Sequence, residues 1–569
     1  MKEFILCDQR KTLLEKAGHL LVKGGPGSGK TTISLLKAAK IINSGTLLKG
    51  QKILFLSFAR ATVSRVLEDA KMLIPKENQH LLEINTYHGF CWSIIKTYGK
   101  LIVKNNKIQL LTPPEASSLF FKMEKEERAE AARKLLEEKG ILSFDLFADL
   151  SGKVLSRSKK IRGIFSSAYP YIFVDEFQDT NPEEWLLIKQ LGETSTIIAL
   201  ADPYQRIYDF RGANPKRLLE FVRHFNPENF DFGDENNRSG DTDIALYGND
   251  ILSGENKRRI YNQVKIERYG YFAEPMAPLK YAILTSLKRL KKTNPDNKWS
   301  IAILVRSKKL TLSASSYLSK ASAKLGRISH EVLIDPSGPS LSAVIIASVL
   351  EPVHAGTKNE LILSILSHIK GRKDKPSLAD IEWSTALSNY LESGKINGSK
   401  RQLFIKEIDI ILAKRIHLEF SGVPENDWIS VRRLFEESTH PSLLEIFEDS
   451  KYLRLLNKGA LLSSRLTESW RLSQNYSGAK DSIKDALLQE HFSMSHRKWQ
   501  GIFIMTLHKS KGKEFDEVII WEDQYQSIVP YKANTAAIEQ SKLVLRVGVT
   551  RAKKMTTICT PVGSPCILI

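Results

Sequence analysis

The chain of 569 residues is 42% hydrophobic and 26% charged, a composition that fits a multidomain globular protein and excludes a disordered one. Its formal charge of +20 stands despite 64 acidic residues, so the expected partner is a polyanion, nucleic acid first. Cys7, Cys91, Cys559 and Cys566 form no CxxC pair and no apolar run reaches 18 residues, so a zinc site, a disulfide framework, a secretory leader and a membrane span are not expected; a cytoplasmic protein is.

In chain order, Leu20-Leu21-Val22 reads as a short buried strand, and "TISLLKAAKII" after Thr31 carries apolar positions at helical spacing. Between them lies Gly24, Gly25, Pro26, Gly27, Ser28, Gly29, Lys30, Thr31 and Thr32, which matches Gly-x4-Gly-Lys-Thr at a strand-to-helix junction. Glycines let backbone N–H groups curl around phosphates, and the helix N-terminus adds its positive end. Lys30 would reach the β- and γ-phosphates of a nucleoside triphosphate, and the Thr31 hydroxyl would take a position on Mg²⁺.

Further strands are predicted at "KILFLSFA" (52–59) and "LLEINTY" (81–87), alternating with helices as in a parallel α/β sheet. Residues 114–140 read as a charged helix, and the stretch after it ends in the basic run "KVLSRSKKIRG". Strands return at "YIFVDE" and "STIIALAD". A second α/β region opens near 231 and includes "WSIAILVRS". A long helical segment interrupts it, and "GIFIMTLH" and "FDEVIIWED" resume it. The predicted organisation is therefore 1–95 plus 165–230 as a first α/β domain with 96–164 inserted, and 231–344 plus 491–569 as a second with 345–490 inserted.

"YIFVDEFQDT" (171–180) ends a buried strand in two acids. Beside a phosphate loop, Asp175 would hold Mg²⁺ and Glu176 would polarise the attacking water.

Together, "GGPGSGKTT", "DEFQDT", "ADPYQRIYDFRGA" (201–213), "TLHKSKGKEFDEV" (506–518) and "GVTRAKK" (548–554) resemble, in order, the motifs of superfamily 1A helicases of the UvrD/Rep family. "CDQRKTLL" (7–14), "LSFARATVSRV" (56–66) and "INTYHGF" (84–90) resemble that family's adenine-reading and early DNA-contact motifs. The resemblance implies two RecA-like P-loop domains, each interrupted by a mainly helical insertion, using ATP and Mg²⁺. It implies movement 3′ to 5′ on single-stranded DNA or on tailed duplex. In that reading Gln9 reads the adenine edge, Gln205 couples the γ-phosphate to the DNA side, Arg238 and Arg551 reach the γ-phosphate, and Glu514 sits near the ribose or the domain interface. Phe58, Tyr208 and Phe210 become stacking candidates, and Arg60, Thr86, His88, Thr506 and His508 candidates for backbone or sugar contact.

Two residues depart from the family pattern: Asn237 stands where an aromatic would stack on the adenine, and Arg546 where a tyrosine is usual. The inserted segments also look short. An alternative reading is therefore a regulatory ATPase that gates a separate nuclease, as small members of the family do in antiphage systems such as Gabija.

Overall fold

The computed structural model describes residues 6–569 except 59, 104–107, 208–213, 215, 234, 241, 271–273, 294–297, 322–324, 335–336, 374–375, 452–459, 493–498 and 531. Its strands are β1 Leu20–Lys23, β2 Ile53–Ser57, β3 Leu82–Thr86, β4 Gln109–Leu111, β5 Ile141–Ser143, β6 Tyr171–Val174, β7 Thr196–Ala201 and β8 Glu228–Asp231. They continue as β9 Val264–Tyr269, β10 Ser300–Val305, β11 Glu331–Leu333, β12 Gly501–Thr506, β13 Phe515–Trp521 and β14 Ala552–Pro561.

Two six-stranded sheets result, in the orders β3-β2-β6-β7-β1-β8 and β11-β12-β10-β13-β14-β9, with every pairing parallel. The central strands are apolar runs without alternation. "ILFLS" and "SIAILV" are buried at every position, as parallel strands covered on both faces must be. Leu20, Phe55, Phe173 and Ile198 join helix residues Ile33, Leu35 and Val66 in the core over one face of the first sheet. On the second sheet, Ala302, Leu304 and Phe503 face one core, while Ile301, Ile303 and Ile502 face another. Alternate residues thus enter opposite layers.

Parallel strands put all their carboxyl ends at one edge, where open α/β sheets bind ligands. The glycine loop leaves β1, Asp175 follows β6 and Asp202 follows β7, so these groups share one edge of the first sheet.

Two compact units emerge: Met1–Thr97, Ala148–Ile334 and Met494–Ile569 hold both six-stranded sheets, and Tyr98–Phe147 with Asp335–Ser493 form a mainly helical one. Residues 98–147 of the first predicted insertion and all of the second thus fall in one unit, while 148–164 fall in the unit that holds the sheets. In the helical unit the helices Pro113–Leu119 and Thr357–Gly371 approach closely, and a Cβ on Gly371 would lie 2.7 Å from the Pro114 carbonyl oxygen. The helical stretch expected over 114–140 comprises two helices, Pro113–Leu119 and Lys125–Lys139, separated by a turn in which Lys122 takes φ 67°.

The helical unit buries a charge cluster. Asp380 accepts from Arg372 at 2.8 Å, from Lys373 at 3.0 Å and from the Ser377 backbone at 3.0 Å. Burial opposes its ionisation, but the Ser377 hydrogen bonds and the two cations hold its carboxyl far below the usual range. A carboxyl depressed in the folded state contributes stability above its unfolded pKa, and that contribution fades as pH falls below about 4. Asp380→Asn should cost about 3–5 kcal/mol. Hydrogen exchange across Leu378–Ser393 checks this: protection should fall in the variant at neutral pH, and the variant should lose less on acidification than the parent.

Candidate nucleotide site

The loop after β1 is built from backbone that only glycine adopts freely. Gly27 and Gly29 take φ 79° and 84°. A Cβ on Gly27 would also lie 2.2 Å from Asn236 Oδ1 and 2.8 Å from Arg238 Cβ, so any larger residue would push the loop away from "NNRS". That close approach carries a hydrogen bond, Asn237 N–H to Gly27 O at 2.7 Å. Lys30 opens the helix Lys30–Asn43 and curls back, donating to the carbonyls of Gly24 at 2.6 Å and Gly25 at 2.9 Å. Burial pushes its pKa down, while Asp202, Glu176 and Asp175 pull it up.

Asp175 and Glu176 stand across a cavity of about 450 Å³. Glu176 holds φ 54°, a left-handed conformation uncommon for a non-glycine residue and found where geometry serves a site. Its Oε2 accepts from the Gln178 amide at 2.6 Å, and Asp175 Oδ1 accepts the Glu176 N–H at 3.1 Å. Burial and then the Glu176 charge raise the Asp175 pKa. Burial works the same way on Glu176, but Lys511 and the Gln178 amide outweigh it and keep that carboxyl low. Among the described residues no group of three or more His, Cys, Asp or Glu side chains could hold a metal ion. The buried Asp175 carboxylate and the Thr31 hydroxyl line the same cavity and together are a hard oxygen set. It fits Mg²⁺, which keeps several waters and takes its remaining ligands from phosphate.

The second sheet contributes to the same cavity. Glu514 precedes β13 and Arg551 precedes β14, and both line the cavity. Arg551 is 2% exposed and donates to Gln205 Oε1 at 3.3 Å and to the Val547 carbonyl at 2.9 Å. Burial and then the Arg238 charge disfavour its cation. Arg238 donates to the Thr550 carbonyl at 3.0 Å and pairs with Glu514 Oε1 at 2.6 Å. Gln205 is oriented by Asp202, which accepts its amide N–H at 2.9 Å and so turns Oε1 toward Arg551.

The cavity thus brings together Pro26 through Thr32, Asp175, Glu176, Gln205, Arg238, Glu514 and Arg551. Gly24 and Gly25 lie behind it as acceptors for Lys30. Gln9 is not among the lining residues: it is exposed, and its amide donates to the Asp231 carbonyl at 3.0 Å. Its neighbour Arg10 makes the loop contact instead, donating to the Ser28 carbonyl at 2.9 Å and lying over the Phe232 ring.

Of the candidate DNA residues, Phe58, Thr86, His88, Thr506 and His508 are not among those lining the cavity. Phe58 follows β2 and packs on buried Tyr87 with ring centroids 4.6 Å apart. Thr86 ends β3 and accepts the Gly89 N–H at 3.0 Å. Half-buried His88 follows in the helix Tyr87–Tyr98. Thr506 ends β12, with His508 just beyond it, where burial lowers the imidazole pKa. Arg60 opens the helix Arg60–Leu73. Tyr208 and Phe210 lie outside the described residues. Part of the basic run "SLKRLKK" is internally engaged, since Arg289 pairs with Glu517 at 2.5 Å.

Three contacts were not legible in the motifs. Lys511, 4% exposed, pairs with Asp179 at 2.5 Å, donates to the Gln205 carbonyl at 2.5 Å and lies 3.7 Å from Glu176, joining the two sheet systems. Arg546 is fully buried, donates to Asn249 at 2.8 Å and approaches Asp202 at 3.6 Å, so this departure from tyrosine adds a cation behind Gln205. Arg65 lines the cavity and pairs with Glu514.

Asn237 lines the cavity with no ring to offer a purine. Hydrolysis of GTP or dATP should therefore proceed within about tenfold of ATP, a barrier difference near 1.4 kcal/mol. Comparing kcat/KM across the three nucleotides checks this, and discrimination above about a hundredfold would point to another base-reading group.

Comparison with known proteins agrees with this geometry. Residues 7–144 and 122–226 match the UvrD/REP helicase N-terminal domain, and residues 458–561 match the UvrD-like helicase C-terminal domain. A probable DNA helicase II homolog of Rickettsia conorii is 23% identical over an alignment spanning 96% of this chain and 91% of that protein. The ATP-dependent DNA helicase PcrA of Staphylococcus aureus is 20% identical, spanning 96% and 82% respectively. Two matching domains in the observed order, around a cavity assembled from both, lead to one assignment: the chain belongs to the UvrD/Rep family of superfamily 1A DNA helicases.

Proposed function

We propose that the protein is an ATP- and Mg²⁺-dependent motor that moves 3′ to 5′ on single-stranded DNA and unwinds duplex ahead of it. The observation that carries this reading is the meeting of Lys30, Asp175 and Glu176 from the first sheet with Arg238 and Arg551 from the second in one cavity. Groups from two sheet systems respond together to a triphosphate only when the cleft between them closes, which couples hydrolysis to motion. Mg²⁺, held by Asp175 and Thr31, would neutralise charge on the phosphates. Glu176 positions and polarises the attacking water. Arg238 and Arg551 balance charge developing on the terminal phosphate. Gln205 joins Arg551 to the segment 206–213, the proposed DNA-facing part of its motif.

The net charge of +20 supports a polyanionic track. Phe58 at the edge of the first sheet is a proposed base-stacking surface, with Phe210 and Tyr208 as its partners in sequence. Strand displacement on duplexes bearing a 3′ or a 5′ single-stranded tail tests the proposal. ATP-dependent opening of the 3′-tailed duplex alone is the expected result. Opening of only the 5′-tailed duplex would reverse the polarity. DNA-stimulated hydrolysis without opening of either would favour the regulatory ATPase that gates a separate nuclease.

A further inference from the structure

Thr62, Arg65, Glu68 and Asp69 recur at helical spacing on Arg60–Leu73, and all four line the nucleotide cavity, so one face of this helix forms part of its wall. Arg65 is the cation on that face. Its Nη1 bonds Glu514 Oε1, the same oxygen that takes Arg238 Nη2 at 2.6 Å. Lys553 Nζ lies 3.7 Å from the other oxygen of that carboxylate. The second acid beside Arg65 is Asp69, 4.0 Å from Nε. Three cations therefore gather on one carboxylate. Burial opposes ionisation of Glu514, yet Arg238, Arg65 and Lys553 hold it far below the usual carboxylate range.

Two guanidiniums directed at one oxygen form the geometry that recognises phosphate, and their planar donors suit its oxygens better than a single carboxylate does. We propose that Arg65 is a ligand of the terminal phosphate of the bound triphosphate, with Glu514 as the carboxylate that competes with phosphate for it. The proposal rests on the ATPase reading of the cavity. It also separates the arginines by role. Arg65 belongs to the same sheet system as the glycine loop and can act before the cleft closes, whereas Arg238 and Arg551 arrive from the second sheet. Arg65 should then act on binding and on ATP-over-ADP preference, and the other two on turnover.

Equilibrium binding of a fluorescent non-hydrolysable ATP analogue and of fluorescent ADP tests this with Arg65→Gln, Arg65→Lys and Lys30→Ala. Arg65→Gln should weaken the triphosphate by about tenfold or more and ADP by less than about twofold, as loss of one charge-assisted contact to the last phosphate requires. Arg65→Lys should recover part of the loss, and melting temperatures should match the parent. Equal loss for both nucleotides, or loss for neither, would overturn the assignment. If Lys30→Ala also left both affinities unchanged, the fault would lie in the nucleotide reading of the cavity rather than in Arg65.

Discussion

Glu176→Gln is expected to trap ATP: turnover should fall by about 10³-fold, the scale of a lost general base, while nucleotide affinity stays near that of the parent. The amide keeps the size of the side chain and the Gln178 contact point, but it cannot accept a proton from water. Lys30→Ala should fail differently. Lys30 is the buried cation beside Gly24 and Gly25, and its loss removes a phosphate contact, so affinity should fall together with turnover. Single-turnover hydrolysis and equilibrium binding, measured on both variants, separate the two effects. Undiminished turnover in both would contradict a hydrolytic role for the cavity.

The second large effect is expected at Lys511. Its ammonium lies between Asp179, which is 1% exposed, and the Gln205 carbonyl, with Glu176 nearby. Lys511→Met should destabilise the two-sheet unit by about 3–5 kcal/mol, because Asp179 keeps its buried charge and loses this cation. Adding Asp179→Asn should recover much of that stability, since the charge to be compensated is gone. Turnover should not recover with it, because the Lys511 contact to the Gln205 carbonyl stays broken. Thermal unfolding and ATPase rates on the two single variants and the double variant check this. A double variant no more stable than Lys511→Met would assign the loss to packing.

What the sequence made legible was local. "LLVKGGPGSGKTT" carries strand, loop and helix signals within 13 residues, and the acids of "YIFVDEF" end an apolar run, so both were readable from neighbours alone. Arg65 sits inside "LSFARATVSRV", which the resemblance assigns to DNA contact, and its partner Glu514 is 449 positions away. Nothing within a helical turn of it signals a phosphate site. Lys511 was hidden for the same reason: its acids lie more than 300 positions earlier, and the motif "TLHKSKGKEFDEV" names no partner for it. Gln9 shows the reverse case. Its motif is recognisable, but the side chain bonds the Asp231 carbonyl, and only three-dimensional packing reveals that. The helical segments were legible as helices. Their joining into one unit depends on tertiary contacts such as the Gly371 approach to Pro114, which no local pattern encodes.

A cavity closed by two sheet systems is expected to hydrolyse ATP in response to DNA. Steady-state ATP turnover of the purified chain, with and without a single-stranded oligonucleotide at low salt, tests it most directly. Slow basal turnover is expected, raised at least tenfold by the oligonucleotide, with the stimulation falling steeply between about 50 and 200 mM salt as counterions compete for the phosphate contacts. Turnover that is the same with and without DNA, or that persists in Lys30→Ala, would contradict it.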